Sequence, residues 1–176
     1  MKVQSVMTAR SLKHCSPETK LHNAAKLMQT GNCGALPVVD KNKKVVGIVT
    51  DRDIALALAK KQPKSRAMIN VSQIMSENVH TVNTSDEIET ALREMRTNKI
   101  GRLPVVDKKG KLKGILSMHN LLAHSLNGET EFGSTTETGE SIAKTIMAIT
   151  ERYSLNSLPK RKTVSAGGSE SLEEVL

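Results

Sequence analysis

The sequence has no tryptophan, one phenylalanine and one tyrosine among its 176 residues. Phe132 and Tyr153 lie late in the chain, so residues 1–126 contain no aromatic ring apart from histidine. Proteins that hold single-stranded nucleic acid stack its bases on aromatic platforms, which this body cannot supply. That weighs against a nucleic-acid partner. Cysteine is scarce too: Cys15 and Cys33 form neither a CxxC pair nor a metal knuckle and read as reduced free thiols. The five histidines include no HExxH, and His119 and His124, five apart, do not share a helix face, so no metal site is expected. No apolar run approaches the roughly 20 residues of a membrane helix. The opening "MKVQSVMTARS" lacks the apolar centre of a signal peptide, and a cytoplasmic protein without membrane contact is expected.

Charge is plentiful but uneven. Residues 127–176 hold 5 Lys+Arg against 8 Asp+Glu, whereas residues 1–126 hold 21 against 10. A basic body suits an anionic partner such as a nucleotide phosphate. Many of its lysines sit in short turns, however (Lys41, Lys43, Lys44; Lys108, Lys109, Lys111, Lys113), where a solvated surface explains them equally well.

The dominant feature is an internal duplication. Pro37 and Pro104, Asp40 and Asp107, Gly47 and Gly114, Thr50 and Ser117, and Asp53 and Asn120 are each 67 residues apart. "VMT" at 6–8 answers "IMS" at 74–76 at an offset of 68. Repetition at such a period signals one supersecondary unit used twice. In the first copy Ser16 is expected to cap a helix with Pro17 in its first turn. Leu21, Ala24, Ala25, Leu27 and Met28 mark that helix's apolar face. In the second, Thr84 and Glu87 form a capping-box pattern before Ile88, Ala91, Leu92 and Met95. Gly31 and its counterpart Asn98 are expected to stop these helices. "ALPVVD" and "VVGIVT", like "RLPVVD" and "LKGILS", are β-branched runs around a turn, each followed by an apolar helix, "DIALALAKK" or "NLLAHSL". Each copy thus reads β-α-β-β-α. At roughly 60 residues neither buries enough surface to be comfortable alone. We expect an α/β fold of two tandem repeats, 1–66 and 67–126, packed sheet to sheet with pseudo-two-fold symmetry.

"GIVTDRD" and "GILSMHN" carry the chemistry. Thr50 stands where strand gives way to helix and Asp53 three residues on, a capping-box arrangement that is structural in its own right. The same place can also hold a ligand. A helix N-terminus offers unpaired N–H groups to a phosphate, and a carboxylate or amide there can bind ribose hydroxyls. Gly47 allows close approach of backbone to whatever lies above the strand. Duplication predicts two such clamps, Thr50 with Asp53 and Ser117 with Asn120, with unequal affinities because Asp and Asn differ in charge and in acceptors and because Asp51 adds a negative charge near any phosphate in the first copy.

The order "hPVVD" then "GhhT/SxxD/N", given twice, closely resembles the CBS-domain family, whose paired form is the Bateman module. The resemblance covers about residues 1–126. It implies a regulatory sensor of AMP, ADP, ATP or a related adenosyl ligand such as S-adenosylmethionine, held between the repeats, with no obligatory cofactor and no enzymatic activity. Thr50 and Ser117 would face phosphate or ribose, Asp53 and Asn120 would hold ribose, and adenine would sit near Leu36, Pro37, Leu103 and Pro104. Arg52, His119 and Arg102 are candidate phosphate partners. Resemblance also implies a homodimer. A ligand-free homodimeric scaffold whose tail recruits a partner protein is the alternative.

The resemblance does not extend to the tail. Residues 127–141 read as a flexible linker and 157–176 as a disordered end. Between them, 142–156 form an amphipathic helix with Ile142, Ile146, Ile149 and Tyr153 in one stripe. All clamp residues lie upstream, so the tail is expected to leave the ligand site untouched.

Overall fold

The computed structural model describes residues 1–60, 69–126 and 135–151. The first copy contains α1 (Leu21–Gly31), β1 (Ala35–Val39), β2 (Val45–Thr50) and α2 (Asp51–Lys60). The second contains β3 (Val82–Asn83), α3 (Ile88–Asn98), β4 (Arg102–Val106), β5 (Leu112–Ser117) and α4 (Met118–Leu126). A further helix, α5, spans Thr135–Glu151. The α/β architecture of two like repeats is as expected. β1 and β2 pair antiparallel with Pro37 opposite Ile48, and β4 and β5 pair likewise with Pro104 opposite Ile115. Both hairpins carry an irregularity at the same place, Val38/Val39 and Val105/Val106. The opening strand is short in both copies: β3 runs parallel to β4, and its counterpart is the single bridge Cys15 to Val38.

The hairpin turns explain the repeated aspartate. Asp40 Oδ1 accepts the Asn42 and Lys44 N–H groups, both at 2.8 Å. Asp107 Oδ1 does the same for Lys109 and Lys111, and these bonds, led by that from Lys111, hold its carboxyl below the usual range. The two turns then meet, with the Leu112 N–H donating to the Lys43 carbonyl at 3.0 Å. This joins one repeat's sheet to the other's.

The ranges 1–66 and 67–126 mark the copies along the chain but not the two cores. Cys15, Leu21, Ala24, Met28, Leu36, Val38, Val49 and Ile54 of the first copy are completed by Ile69 and Val71. Leu92, Met95, Leu103, Leu116 and their neighbours in the second are completed by Val3 and Val6. The lead segments are therefore exchanged between repeats, each lying where its Met-containing triplet meets the other hairpin. Thr8 bridges Ile115, and Ser76 bridges Ile48. The glycines of the repeated string make room for this crossing rather than for a ligand. A Cβ on Gly47 would lie 2.5 Å from Met75 Sδ, and one on Gly114 would lie 2.7 Å from Met7 Sδ and 2.9 Å from the Thr8 carbonyl oxygen.

The exchange also corrects the expected helix starts. Ser16 does not cap α1: its segment makes a turn, with the Thr19 N–H on the Ser16 carbonyl, and α1 begins only at Leu21. Thr84 and Glu87 do not close a capping box either. Instead the Leu21 N–H donates to the Ile69 carbonyl (3.1 Å) and the Ile88 N–H to the Met1 carbonyl (3.0 Å). Backbone of the other copy's lead segment satisfies the orphan donors that a side chain would otherwise take. Glu87 is thereby free to meet Lys2 and the terminal amine, which hold its carboxyl down at about 2. At the far ends Gly31 and Asn98 are the last helical residues, and the left-handed position falls one later, on Asn32 (φ 46°) and Lys99 (φ 52°). On α1, Ala25 faces solvent while Leu21, Ala24 and Met28 are buried. Cys15 is buried, which pushes its thiol up to about 11.

The stretch 127–141 is not a linker throughout, because α5 already begins at Thr135. Its start is carried by packing: Ser141 and Ile142 are buried, Ser141 Oγ lies 3.0 Å from both Glu89 carboxylate oxygens, and Thr145 Oγ1 donates to the Ser141 carbonyl. Tertiary contact against α3 overrides the weak helix preference of "TTETGES". The expected linker residues 127–134, the helix end 152–156 with Tyr153, and the tail 157–176 lie outside the described residues. No helix among the described residues is long and apolar enough to cross a membrane.

Candidate functional site

Strand gives way to helix at β2/α2 and β5/α4 with the same hydrogen bonds. Asp53 Oδ2 accepts the Thr50 N–H (2.9 Å) and the Thr50 hydroxyl (2.7 Å), and the Asp53 N–H donates back to Thr50 Oγ1 (3.2 Å). Asn120 Oδ1 accepts the Ser117 N–H (3.0 Å) and hydroxyl (2.6 Å), and the Asn120 N–H donates to Ser117 Oγ (3.2 Å). The structural role read from the spacing is realised in both copies. It leaves different atoms over. Among the described residues Asp53 Oδ1 has no partner and can still accept a hydroxyl. Asn120 spends its amide on Thr8 Oγ1, at 3.1 Å.

Each helix start opens on a cleft of its own. The first cleft, about 710 Å³, joins Thr50, Asp53 and Arg52 of one repeat to Ser76, His80 and Pro104 from beyond residue 66. The second, about 670 Å³, joins Ser117, Asn120 and His119 to Thr8, Leu12 and Cys33. Both volumes fall in the ordinary range for small-molecule sites. Every cleft is composite: the clamp comes from one copy and the facing wall, including the residues after "IMS" or "VMT", from the other. Gly101, Arg102 and Ile149 line both clefts, so Arg102 stands where they adjoin. Among the described residues no aromatic ring other than histidine lines either cleft.

The remaining expected contacts divide. Arg52 borders the first cleft and His119 the second, both with exposed side chains. Pro104 lines the first cleft, whereas Leu36 and Leu103 are fully buried in the two cores and Pro37 is buried in β1 without reaching either lining. Asp51, expected as an extra negative charge near any phosphate, does line the first cleft, whereas sequence reasoning missed Ile149 there. Asp51 Oδ1 accepts the Arg52 N–H at 2.8 Å, and the Asp51 N–H donates to the Gly34 carbonyl at 3.2 Å. The first turn of α2 thus has its amides occupied. In α4 the Met118 N–H donates to Gly101 in the same way, but the His119 N–H has no partner among the described residues. Ile149 overturns the expectation that the tail leaves the site untouched: its stripe lies on the second repeat and its end reaches both clefts. The described residues contain no cluster suited to a metal ion.

Comparison with known proteins agrees with this geometry. The family model described as CBS domain matches residues 3–60 and again 71–127. The uncharacterized protein YlbB of Bacillus subtilis is 35% identical over 122 residues, 68% of this chain and 79% of that protein. Among solved structures, the CBS domain pair of protein MJ0100 in complex with 5′-methylthioadenosine and S-adenosyl-L-methionine superposes with a TM-score of 0.64 at 26% identity, covering 74% of this chain and 98% of that one. CBSX2, a CBS-pair protein of Arabidopsis thaliana, superposes in its complex with AMP with a TM-score of 0.62 at 33% identity, over 73% of this chain and 98% of that one. Matched over both copies and most of its described length, this chain belongs to the CBS-domain family.

Proposed function

We propose that the chain is a regulatory module, without a catalytic step of its own, that binds adenine nucleotides or a related adenosyl ligand in the clefts between its repeats. The observation that carries this reading is the pair of composite clefts, each opening on a hydroxyl and an Asp or Asn held at a helix start. In the first, Asp53 Oδ1 is the acceptor left for a ribose hydroxyl. The complexes of CBSX2 with AMP and of MJ0100 with adenosyl ligands support the ligand class. Calorimetric titration of the full chain with AMP, ADP, ATP and S-adenosylmethionine should find binding by at least one of them. Asp53→Ala should then weaken it about tenfold or more, since a hydrogen bond to a charged group contributes roughly 1.5–3 kcal/mol. Asp53→Asn, which keeps an acceptor for the cap, separates that loss from loss of helix stability. Absence of heat with all four ligands would refute the reading.

That outcome would favour the scaffold alternative, for which one observation speaks: in both capping boxes the hydroxyl and an oxygen of the Asp or Asn are already bonded to each other. Recruitment of a partner through the Ile stripe finds less support, because Ile142 is buried against the second core. In either reading we infer a homodimer. Leu56 on α2 and Leu122 on α4 remain 47% and 37% exposed, at equivalent helices of the two repeats. Light scattering at micromolar concentration should give twice the chain mass, and a monomer would refute it.

A further inference from the structure

The two clefts share a plan but not a charge pattern. We propose that Asp51 is a specificity-determining residue that bars phosphate from the first cleft, so that this cleft takes an adenosyl ligand with no negative charge at its 5′ carbon while the second takes the phosphate-bearing nucleotide. The proposal rests on the adenosyl-binding reading given above. A phosphate bound beside a clamp of this kind needs the N–H groups of the helix's first turn. In the first cleft Asp51 supplies its own anion there: Oδ1 holds the Arg52 N–H at 2.8 Å. Oδ2 is turned against Gly34, where a Cβ would come within 2.8 Å of it. The carboxylate is therefore seated at the helix start by these contacts, although the residue stays exposed.

The counterpart 67 residues on is Met118, which carries no charge, and the His119 N–H beside it is unpartnered among the described residues. The wider surroundings point the same way. Among the described residues the first cleft is lined by two carboxylates, Asp51 and Asp53, and the second by none. Of the cations in the first cleft, Lys99 is paired with Glu151 at 3.3 Å and Arg102 is shared with the second. Arg52 also borders the first cleft, and Lys13 the second. A dianionic phosphate placed against Asp51 meets like charge at the one spot where the second cleft offers a free donor.

Each cleft has its own reporter, His80 in the first and His119 in the second. Imidazole NMR signals of the full chain, titrated with AMP and with uncharged adenosine, give a midpoint for each. AMP should move His119 at a concentration at least tenfold below that needed for His80, while adenosine shows less than a threefold difference. Asp51→Asn, which keeps the shape and an acceptor for the Arg52 N–H, should lower the AMP midpoint at His80 at least tenfold more than the adenosine midpoint. Gain of affinity is not the result of a damaged fold. AMP filling both clefts alike in the unaltered chain, or an AMP midpoint at His80 indifferent to Asp51→Asn, would overturn the proposal. So would binding of adenosine without AMP, although the adenosyl reading would then stand. If neither ligand moves either signal, the adenosyl reading falls as well.

Discussion

A chain that starts at Thr8 should lose the second repeat, not the first. Residues 1–7 belong along the sequence to the first copy, yet Val3 is fully buried and Val6 nearly so in the core around Leu92, Met95 and Leu103. Burying a valine contributes roughly 1.5–3 kcal/mol, so the pair is worth about 3–6 kcal/mol before backbone is considered. The backbone loss is specific as well. The Val3 N–H on Asp86 (2.8 Å), the Gln4 N–H on Thr84 (3.1 Å) and the Ile88 N–H on Met1 (3.0 Å) all tie the segment to the second copy. Against a whole-domain stability of about 5–15 kcal/mol this is a large fraction. Hydrogen exchange should show protection lost first along α3 and β4, with α1 and β1 retaining more. Val71→Ala, the mirror change, should loosen α1 instead. If the truncated chain lost α1 first, the assignment of the lead segments would be wrong.

The second large effect concerns the other end. Ending the chain after Leu126 removes Ile142, only 3% exposed, together with the half-buried Ile146 and the buried Thr145, and uncovers the α3 face on which they lie. We expect a loss of roughly 2–4 kcal/mol from the apolar area alone, read as a clear fall in the thermal midpoint. Ligand affinity should also drop by more than threefold in both clefts, because Ile149 is a wall of each. Ile149→Ala in the full chain separates the two consequences: it should weaken binding while costing less stability than the truncation. Unchanged affinity after truncation would mean that Ile149 merely borders the ligand.

What the sequence made legible follows from how local each signal was. The apolar face of α3, all four residues of it, could be read from spacing because it answers to helical geometry alone. The capping boxes at Thr50 and Ser117 were legible for the same reason: partners three residues apart find each other without outside help. The caps expected at Ser16 and Thr84 failed because both helices start later, at Leu21 and Ile88, where the carbonyls of Ile69 and Met1 take the first N–H groups. Spacing cannot show such a competitor. The early start of α5 was hidden in another way, since "TTETGES" is helical only because Ser141 and Ile142 have α3 to lie against. The charge of Asp51 beside the clamp was legible, but that its oxygen takes the Arg52 N–H was not, since a carboxylate next to a basic residue has no fixed direction in a string. The one-residue difference between the 67 and 68 offsets fell at the lead segments, but nothing in a linear string says on which side of a fold a segment lies.

The exchanged lead segments bear on the history such a chain can have had. A single copy ending near residue 60 would carry Val3 and Val6 with no place for them at home and would lack what Ile69 and Val71 supply. Its only route to a closed core would be to trade openings with a second identical molecule, a reciprocal swap that closes on itself after two. Folding of such an ancestor would have depended on how much of it was made. Joining the two copies in one polypeptide replaces that bimolecular encounter by a tethered one with a fixed effective concentration. It also lets the halves drift apart, so that Asp53 has Asn120 as its counterpart and Asp51 has Met118. Unlike sites in one molecule are then a product of the fusion, since two identical chains could never have differed.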